Sequence, residues 1–168
     1  MKSANLLILN GLILTLDEKN TIIESGGVAI ADSRISAVGP AQEIAASFAS
    51  DSVEMIDATG KVVMPGFVNA HTHCADSLFR GYVEDLPLGP WLEKLGAAES
   101  AILNPQTVAL GTQLAMAEMI RSGITCALDM FWYPEAAARE AVKAGFRLMN
   151  GPIYVDFPGP DNTAVERR

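Results

Sequence analysis

An α/β chain is predicted, with a small β-rich segment over residues 1–62 and the opening of a parallel β/α barrel over residues 63–168. Three observations predict it. Short apolar, β-branched runs broken by Gly26-Gly27, Asp32-Ser33 and Thr59-Gly60 fill the first segment, as closely spaced strands do. After residue 62, strand-like runs alternate with helix-like runs across short connections, the rhythm of parallel βα units. A whole (β/α)8 barrel takes roughly 250 residues, and fewer than half that number follow residue 62, so the barrel is expected to be incomplete in this chain.

Taken in order, ANLLILNGLILTL over residues 4–16 reads as a buried strand pair broken by Asn10-Gly11, a turn signal. IIESGGVAIADSRISAVG and SVEMIDATGKVVMPG extend it to a small antiparallel sheet, with a helical turn around Ala41–Phe48. VVMPGFVNAH is a barrel-type strand, followed by a loop containing Gly81, Pro87, Gly89 and Pro90. NPQTVALGTQLAMAEMIRS fits a helix: Asn104 caps it, Pro105 suits its first turn, and Gly123 lies just past its end. Leu110, Leu114, Ala117 and Ile120 supply an apolar stripe at helical spacing. ITCALDMFW is a second strand, PEAAAREAVKAG a second helix and FRLMNGPIYV a third strand.

Composition excludes several classes of function. Hydrophobic residues make up 49% and charged residues 19%, a globular balance. Formal net charge is −8 with no cluster of Lys and Arg, so neither nucleic acid nor an anionic membrane is an expected partner. The N-terminal apolar run is interrupted by Asn5, Asn10 and Gly11 and lacks the features of a signal peptide or a membrane span. Cys74 and Cys126 form no CxxC motif and read as reduced thiols of a cytoplasmic protein.

The chemistry is concentrated in Pro65-Gly66-Phe67-Val68-Asn69-Ala70-His71-Thr72-His73. Alternate residues of a strand share a face, so His71 and His73 present two imidazoles to one side, about 6–7 Å apart at the backbone. A divalent cation with bonds near 2 Å to nitrogen fits between such rings. The apolar run before them suits a barrel-lining strand, whose C-terminal end is where barrel active sites lie. These are the two histidines of the chain.

PGFVNAHTH, preceded by IDATGKVVM, closely resembles the segment with which amidohydrolase-superfamily enzymes enter their metal-dependent hydrolase (β/α)8 TIM barrel. GGVAIADSRISAVG resembles that family's N-terminal β-sandwich segment. LFRGYVEDLPLGPWL is similar to the subgroup of S-adenosylhomocysteine and methylthioadenosine deaminases, guanine deaminase and the triazine chlorohydrolases. The resemblance implies one Zn²⁺, or alternatively Fe²⁺, per intact site. His71 and His73 would be metal ligands, joined by histidines of later strands and a late aspartate. In that family the metal lowers the pKa of bound water toward about 7, and the resulting hydroxide attacks a ring carbon bearing an amino group or chloride. The implied activity is hydrolysis of a non-peptide C–N bond of an aromatic heterocycle. The implied partner is that small heterocyclic molecule, with a homo-oligomer as the assembly of the full-length enzyme. The acid–base residues are expected beyond Arg168, so these residues alone are expected to be inactive. Alternatives are a chlorohydrolase, a cyclic-amide hydrolase of the dihydropyrimidinase or hydantoinase kind, and a non-catalytic short module.

Glu99 falls where the nucleoside deaminases of this subgroup place a glutamate that accepts ribose hydroxyls; a solvated glutamate is the plainer alternative. Gly151-Pro152 stand where those deaminases often carry an arginine. Trp132, within Phe131-Trp132-Tyr133, and Trp91 could stack on a flat heterocycle or simply pack. Asp76 follows the metal motif closely enough to be taken for a ligand, but reads rather as a turn-capping carboxylate. Asp129 reads either as an orienter of a ligand histidine or as an acceptor for loop backbone. Arg80 and Glu84 are expected to pair within the loop, and Cys74 to face away from the histidines.

Overall fold

The computed structural model describes residues 3–48, 52–155 and 159–161. The chain divides into two compact units, Met1–Pro65 and Gly66–Arg168. No helix among the described residues is long and apolar enough to cross a membrane.

The first unit contains β1 (Leu6–Leu14), β2 (Ile22–Ala31), β3 (Arg34–Pro40), α1 (Ala41–Phe48), β4 (Glu54–Asp57) and β5 (Val62–Val63). The sheet runs β3-β2-β1-β4, and β5 also pairs with β1. It is mixed rather than antiparallel throughout: β1, β2 and β3 run antiparallel, while β4 and β5 lie parallel to β1. Asp32 and Ser33 both take positive φ, 50° and 63°, as a two-residue hairpin turn between right-twisted strands requires. Leu7, Ala29, Ile44 and Phe48 form the buried core.

Asn10-Gly11 does not turn the chain. It lies within the single strand β1, where the register shifts between Leu9 and Gly11 and again between Gly11 and Ile13. Asn10 takes φ 66°, which asparagine tolerates, and the irregularity is a bulge in place of the expected turn. Two contacts hold it. The Asn10 Nδ2 donates to Asp57 Oδ1 at 3.0 Å, and a Cβ at Gly11 would come within 2.8 Å of Val63 Cγ2, so only glycine lets β5 approach here.

The second unit contains a three-stranded parallel sheet, β6-β7-β8, with β6 at Phe67–Thr72, β7 at Ile124–Phe131 and β8 at Arg147–Pro152. Its helices are α2 (Leu88–Ile102), α3 (Pro105–Arg121) and α4 (Pro134–Ala144), and a 3₁₀ segment spans Cys74–Phe79. The expected helix limits hold for α3. Asn104 Oδ1 accepts from the Gln106 and Thr107 N–H groups at 2.9 and 3.0 Å, while Asn104 N–H donates to Thr107 Oγ1 at 2.9 Å. The reciprocal pair satisfies backbone donors that a helix start otherwise leaves orphaned.

Two expectations fail in this unit. The stretch containing Pro87, Gly89 and Pro90 was expected to be a loop, yet Leu88–Ile102 is helical. Pro90 lies in the first turn, where its missing N–H removes no hydrogen bond, and Trp91–Ile102 then supplies mostly good helix formers. The α3 stripe also faces the other way. Leu110, Leu114, Ala117 and Ile120 are exposed, and the buried face is Val108, Gly111, Thr112, Ala115, Met116 and Met119. Small residues set this orientation: a Cβ at Gly111 would lie 2.8 Å from both the Cα and the O of Ala75. Close backbone approach against the 3₁₀ segment outweighs burial of the leucines.

Candidate functional site

The site grows from the C-terminal end of β6. His71 lies in the strand and His73 one residue past it, at the start of the 3₁₀ segment. The β6–β7 register shifts between Asn69 and Thr72, so simple alternation does not run unbroken through the motif. The imidazoles nevertheless converge. Their ring centroids are 5.0 Å apart with planes at 75°.

His73 is oriented from the neighbouring strand. Its Nδ1 lies 2.8 Å from the carbonyl oxygen of Met130. A carbonyl can only accept, so Nδ1 carries the proton and Nε2 keeps the lone pair that binds a cation. A hydrogen bond from the ring's other nitrogen to a fixed acceptor sets the tautomer and direction of a ligating imidazole. Phe131 packs beside the ring with centroids 5.6 Å apart. The donor set fits half of a transition-metal site: two imidazole nitrogens, one of them pre-aimed. Among the described residues no group of three or more His, Cys, Asp or Glu side chains could hold a metal ion, whereas catalytic zinc usually takes three protein ligands.

Asp129 resolves toward the backbone reading. It is buried and its Oδ1 accepts from Cys74 N–H at 2.9 Å, tying the residue after His73 to β7. Burial raises the pKa of this carboxyl, and the Cys74 N–H opposes the rise. Burial, with the Asp129 charge added, pushes the Cys74 thiol up to about 12, so Cys74 is an inert packing residue at neutral pH. Both cysteines are free thiols.

Asp76 does not cap a turn. Its N–H donates to the His73 carbonyl at 3.0 Å, but its Oδ1 is buried and receives no hydrogen bond among the described residues. Burial pushes the carboxyl up to about 7, and the charges of Glu99 and Asp129 add to the rise. Arg80 pairs with Glu118 of α3, not with Glu84: its Nη2 lies 2.5 Å from Glu118 Oε2. The difference follows from α3 packing against the 3₁₀ segment, which brings Glu118 within reach.

A cleft of about 700 Å³ opens beside His73, walled by Asp76, Trp91, Leu95, Glu99, Phe131, Trp132, Ile153 and Val155. Glu99 and Trp132, both candidates for substrate contact, meet here: Trp132 Nε1 donates to Glu99 Oε2 at 3.1 Å. Trp132 is almost fully buried within a cluster containing Phe79, Leu95 and Phe131. Its body therefore packs while its polar edge holds the glutamate in the cleft wall. Trp91 donates to the Val83 carbonyl at 3.3 Å.

Sequence reasoning missed α2 as the element that carries Trp91 and Glu99, and it read Asp76 as a turn cap where the structure makes it a partly buried carboxyl of the cleft wall. The available signal for Asp76 was its spacing, three residues after His73 in a short apolar stretch. One 3₁₀ turn returns such a residue to the same side.

The Amidohydrolase family matches residues 62–168. A 5-methylthioadenosine/S-adenosylhomocysteine deaminase of Syntrophobacter fumaroxidans is 44% identical over 163 residues, covering 97% of this chain and 37% of the relative. The same-named deaminase 1 of Syntrophus aciditrophicus is 41% identical, with 96% and 36% covered. The chain thus spans a little over a third of the length of these relatives. Among solved structures, an adenosine deaminase from Xanthomonas campestris with bound zinc superposes with a TM-score of 0.92 at 33% identity, covering 98% of this chain and 37% of that one. The guanine deaminase of E. coli gives 0.78 at 22% identity, over 93% and 39%, a likeness of fold alone.

Proposed function

This chain belongs to the amidohydrolase family, and from that premise we propose that the protein hydrolyses a non-peptide C–N bond of an aromatic heterocycle, as an aminohydrolase using one bound divalent cation. We assign residues 1–62 to an N-terminal β-sandwich segment and residues 63–168 to the opening strands of the barrel. The observation that carries the functional reading is the imidazole pair: two rings 5.0 Å apart, with the His73 Nδ1 committed to the Met130 carbonyl.

In this reading His71 and His73 are metal ligands, and Zn²⁺ is the cation, with Fe²⁺ the alternative; zinc is bound in the Xanthomonas campestris adenosine deaminase. When bound, the cation supplies Lewis acidity and a water nucleophile at neutral pH. The chain's own residues do the rest of the work in this region. Phe131 and the Met130 carbonyl hold His73 in place, the apolar walls of the cleft exclude water around a flat ring, and Glu99 offers carboxylate oxygens to donors on the substrate. Trp132 fixes Glu99 and lends the cleft its edge. The names of the two sequence relatives above, both deaminases of adenosine derivatives, favour a purine nucleoside over a bare base or a triazine. The free thiols fit a cytoplasmic protein.

The test uses the full-length reading frame. Bound metal is measured on the purified protein, and adenosine, guanine, pterin and chlorotriazine substrates are screened for release of ammonia or chloride. About one zinc per chain and ammonia release from a purine are expected. His71→Ala and His73→Ala should each lose most of the metal; a double variant that still holds stoichiometric zinc would show that the metal lies elsewhere.

A further inference from the structure

Two consecutive residues past the end of β7 hold different parts of the cleft lining. Trp132 donates its indole N–H to Glu99 of α2 at 3.1 Å. Tyr133, the next residue, donates its hydroxyl to the carbonyl oxygen of Pro160 at 2.7 Å, a contact across 27 residues of chain. Pro160 lines the cleft with Ile153 and Val155. Tyr133 packs with Ile153 and Val155 against the buried cluster that contains Phe131 and Trp132. The backbone at Tyr133 is left-handed, φ 51° and ψ 53°, directly before Pro134 at the start of α4. A bulky residue adopts this conformation only at a cost. The following proline disfavours the right-handed alternative, and glycine would make the same turn without strain. The turn alone therefore does not call for a tyrosine; what the side chain adds is its packing and the hydroxyl bond to Pro160.

We propose that Tyr133 is a positioning residue for substrate binding: its hydroxyl holds Pro160, and with it the cleft lining beyond β8, where a bound substrate meets it. The inference rests on the aminohydrolase reading, in which the cleft beside His73 receives the substrate. It gives Tyr133 no part in the chemistry, because the hydroxyl bond leads to Pro160 and not to His71 or His73. Without that bond, water takes the hydroxyl's place at the carbonyl, and each substrate must order the lining as it binds. Such ordering weakens binding and leaves the bound complex to react as before.

The full-length protein and its Tyr133→Phe variant are loaded with zinc. They are compared on whichever of adenosine, guanine, pterin and chlorotriazine the wild type turns over. Tyr133→Phe keeps the ring and removes the hydroxyl alone. KM is expected to rise about two- to tenfold, the worth of one hydrogen bond. Turnover number, zinc content and melting temperature should stay close to those of the wild type. Tyr133→Gly, which relaxes the backbone and also lacks the hydroxyl, should raise KM at least as far. An unchanged KM in Tyr133→Phe overturns the proposal. So does a fall in kcat at unchanged KM, which would place the hydroxyl in the chemistry. A raised KM accompanied by lost zinc or a markedly lowered melting temperature overturns it too, as the mark of a purely structural role. A wild type that holds no zinc and turns over none of the four compounds fails the aminohydrolase reading itself. Zinc retention and turnover in the wild type, beside a variant with unchanged KM, fail this inference alone.

Discussion

Asp129 shows how one carboxyl positions the site without entering it. It accepts the Cys74 N–H and so fixes the residue that follows His73. Asp129→Ala leaves that buried donor unpaired and is expected to cost about 1–3 kcal/mol, read by urea denaturation of the full-length protein. Asp129→Asn, which keeps an acceptor oxygen, should cost less. Asp57 provides a pH-dependent case in the first unit. Hydrogen bonds from Thr59 and Asn10 hold its pKa below the ordinary 3.8. A carboxylate with a depressed folded value contributes stability that is present above the unfolded pKa and lost as pH falls through the folded one. Melting temperature should therefore fall more steeply below pH 4 in the wild type than in Asp57→Asn. At this scale the sequence was informative about His71 and His73, because alternation along a strand is a local rule. It was uninformative about Asp76, whose environment depends on α2 and β7 arriving beside it.

Element α3 couples the helical layer to the metal half-site. Gly111 lies against Ala75, two residues from His73. Gly111→Val must push α3 away from the 3₁₀ segment and is expected to cost about 1–3 kcal/mol, with weaker zinc retention measured on the same preparation. Asn104→Ala removes the cap and should cost about 1 kcal/mol while leaving metal content unchanged. The termini of α3 were legible because capping chemistry is written in adjacent residues. Its buried face was not, since Leu110 and Leu114 give the stronger apolar signal while glycine and alanine govern how closely the helix can approach. Helix α2 was obscured by Pro87, Gly89 and Pro90, whose breaker signal is real in a helix interior and void in a first turn.

Across the second unit, one face of the parallel sheet is left uncovered. Val68, Leu128, Met130 and Met149 are exposed, with Leu128 opposite Met149 and Val68 opposite Cys126 in the ladder. Contiguous apolar surface of this kind drives association. A polypeptide of these 168 residues alone is expected to bind an environment-sensitive hydrophobic dye and to self-associate in size-exclusion chromatography, more so than the full-length protein. The βα rhythm announced this sheet, since parallel strands need helical crossovers. The mixed pairing of the first unit was hidden, because nothing local tells β4 to lie parallel to β1. One contact within the sheet has an evolutionary consequence. The acceptor that aims the His73 ring belongs to the peptide chain at Met130, so replacing that methionine by another residue leaves it in place. Drift at position 130 can alter bulk and polarity without re-aiming the imidazole; only a slip of one strand along the other can do that. The ring's direction is therefore inherited with the architecture and not with any single codon.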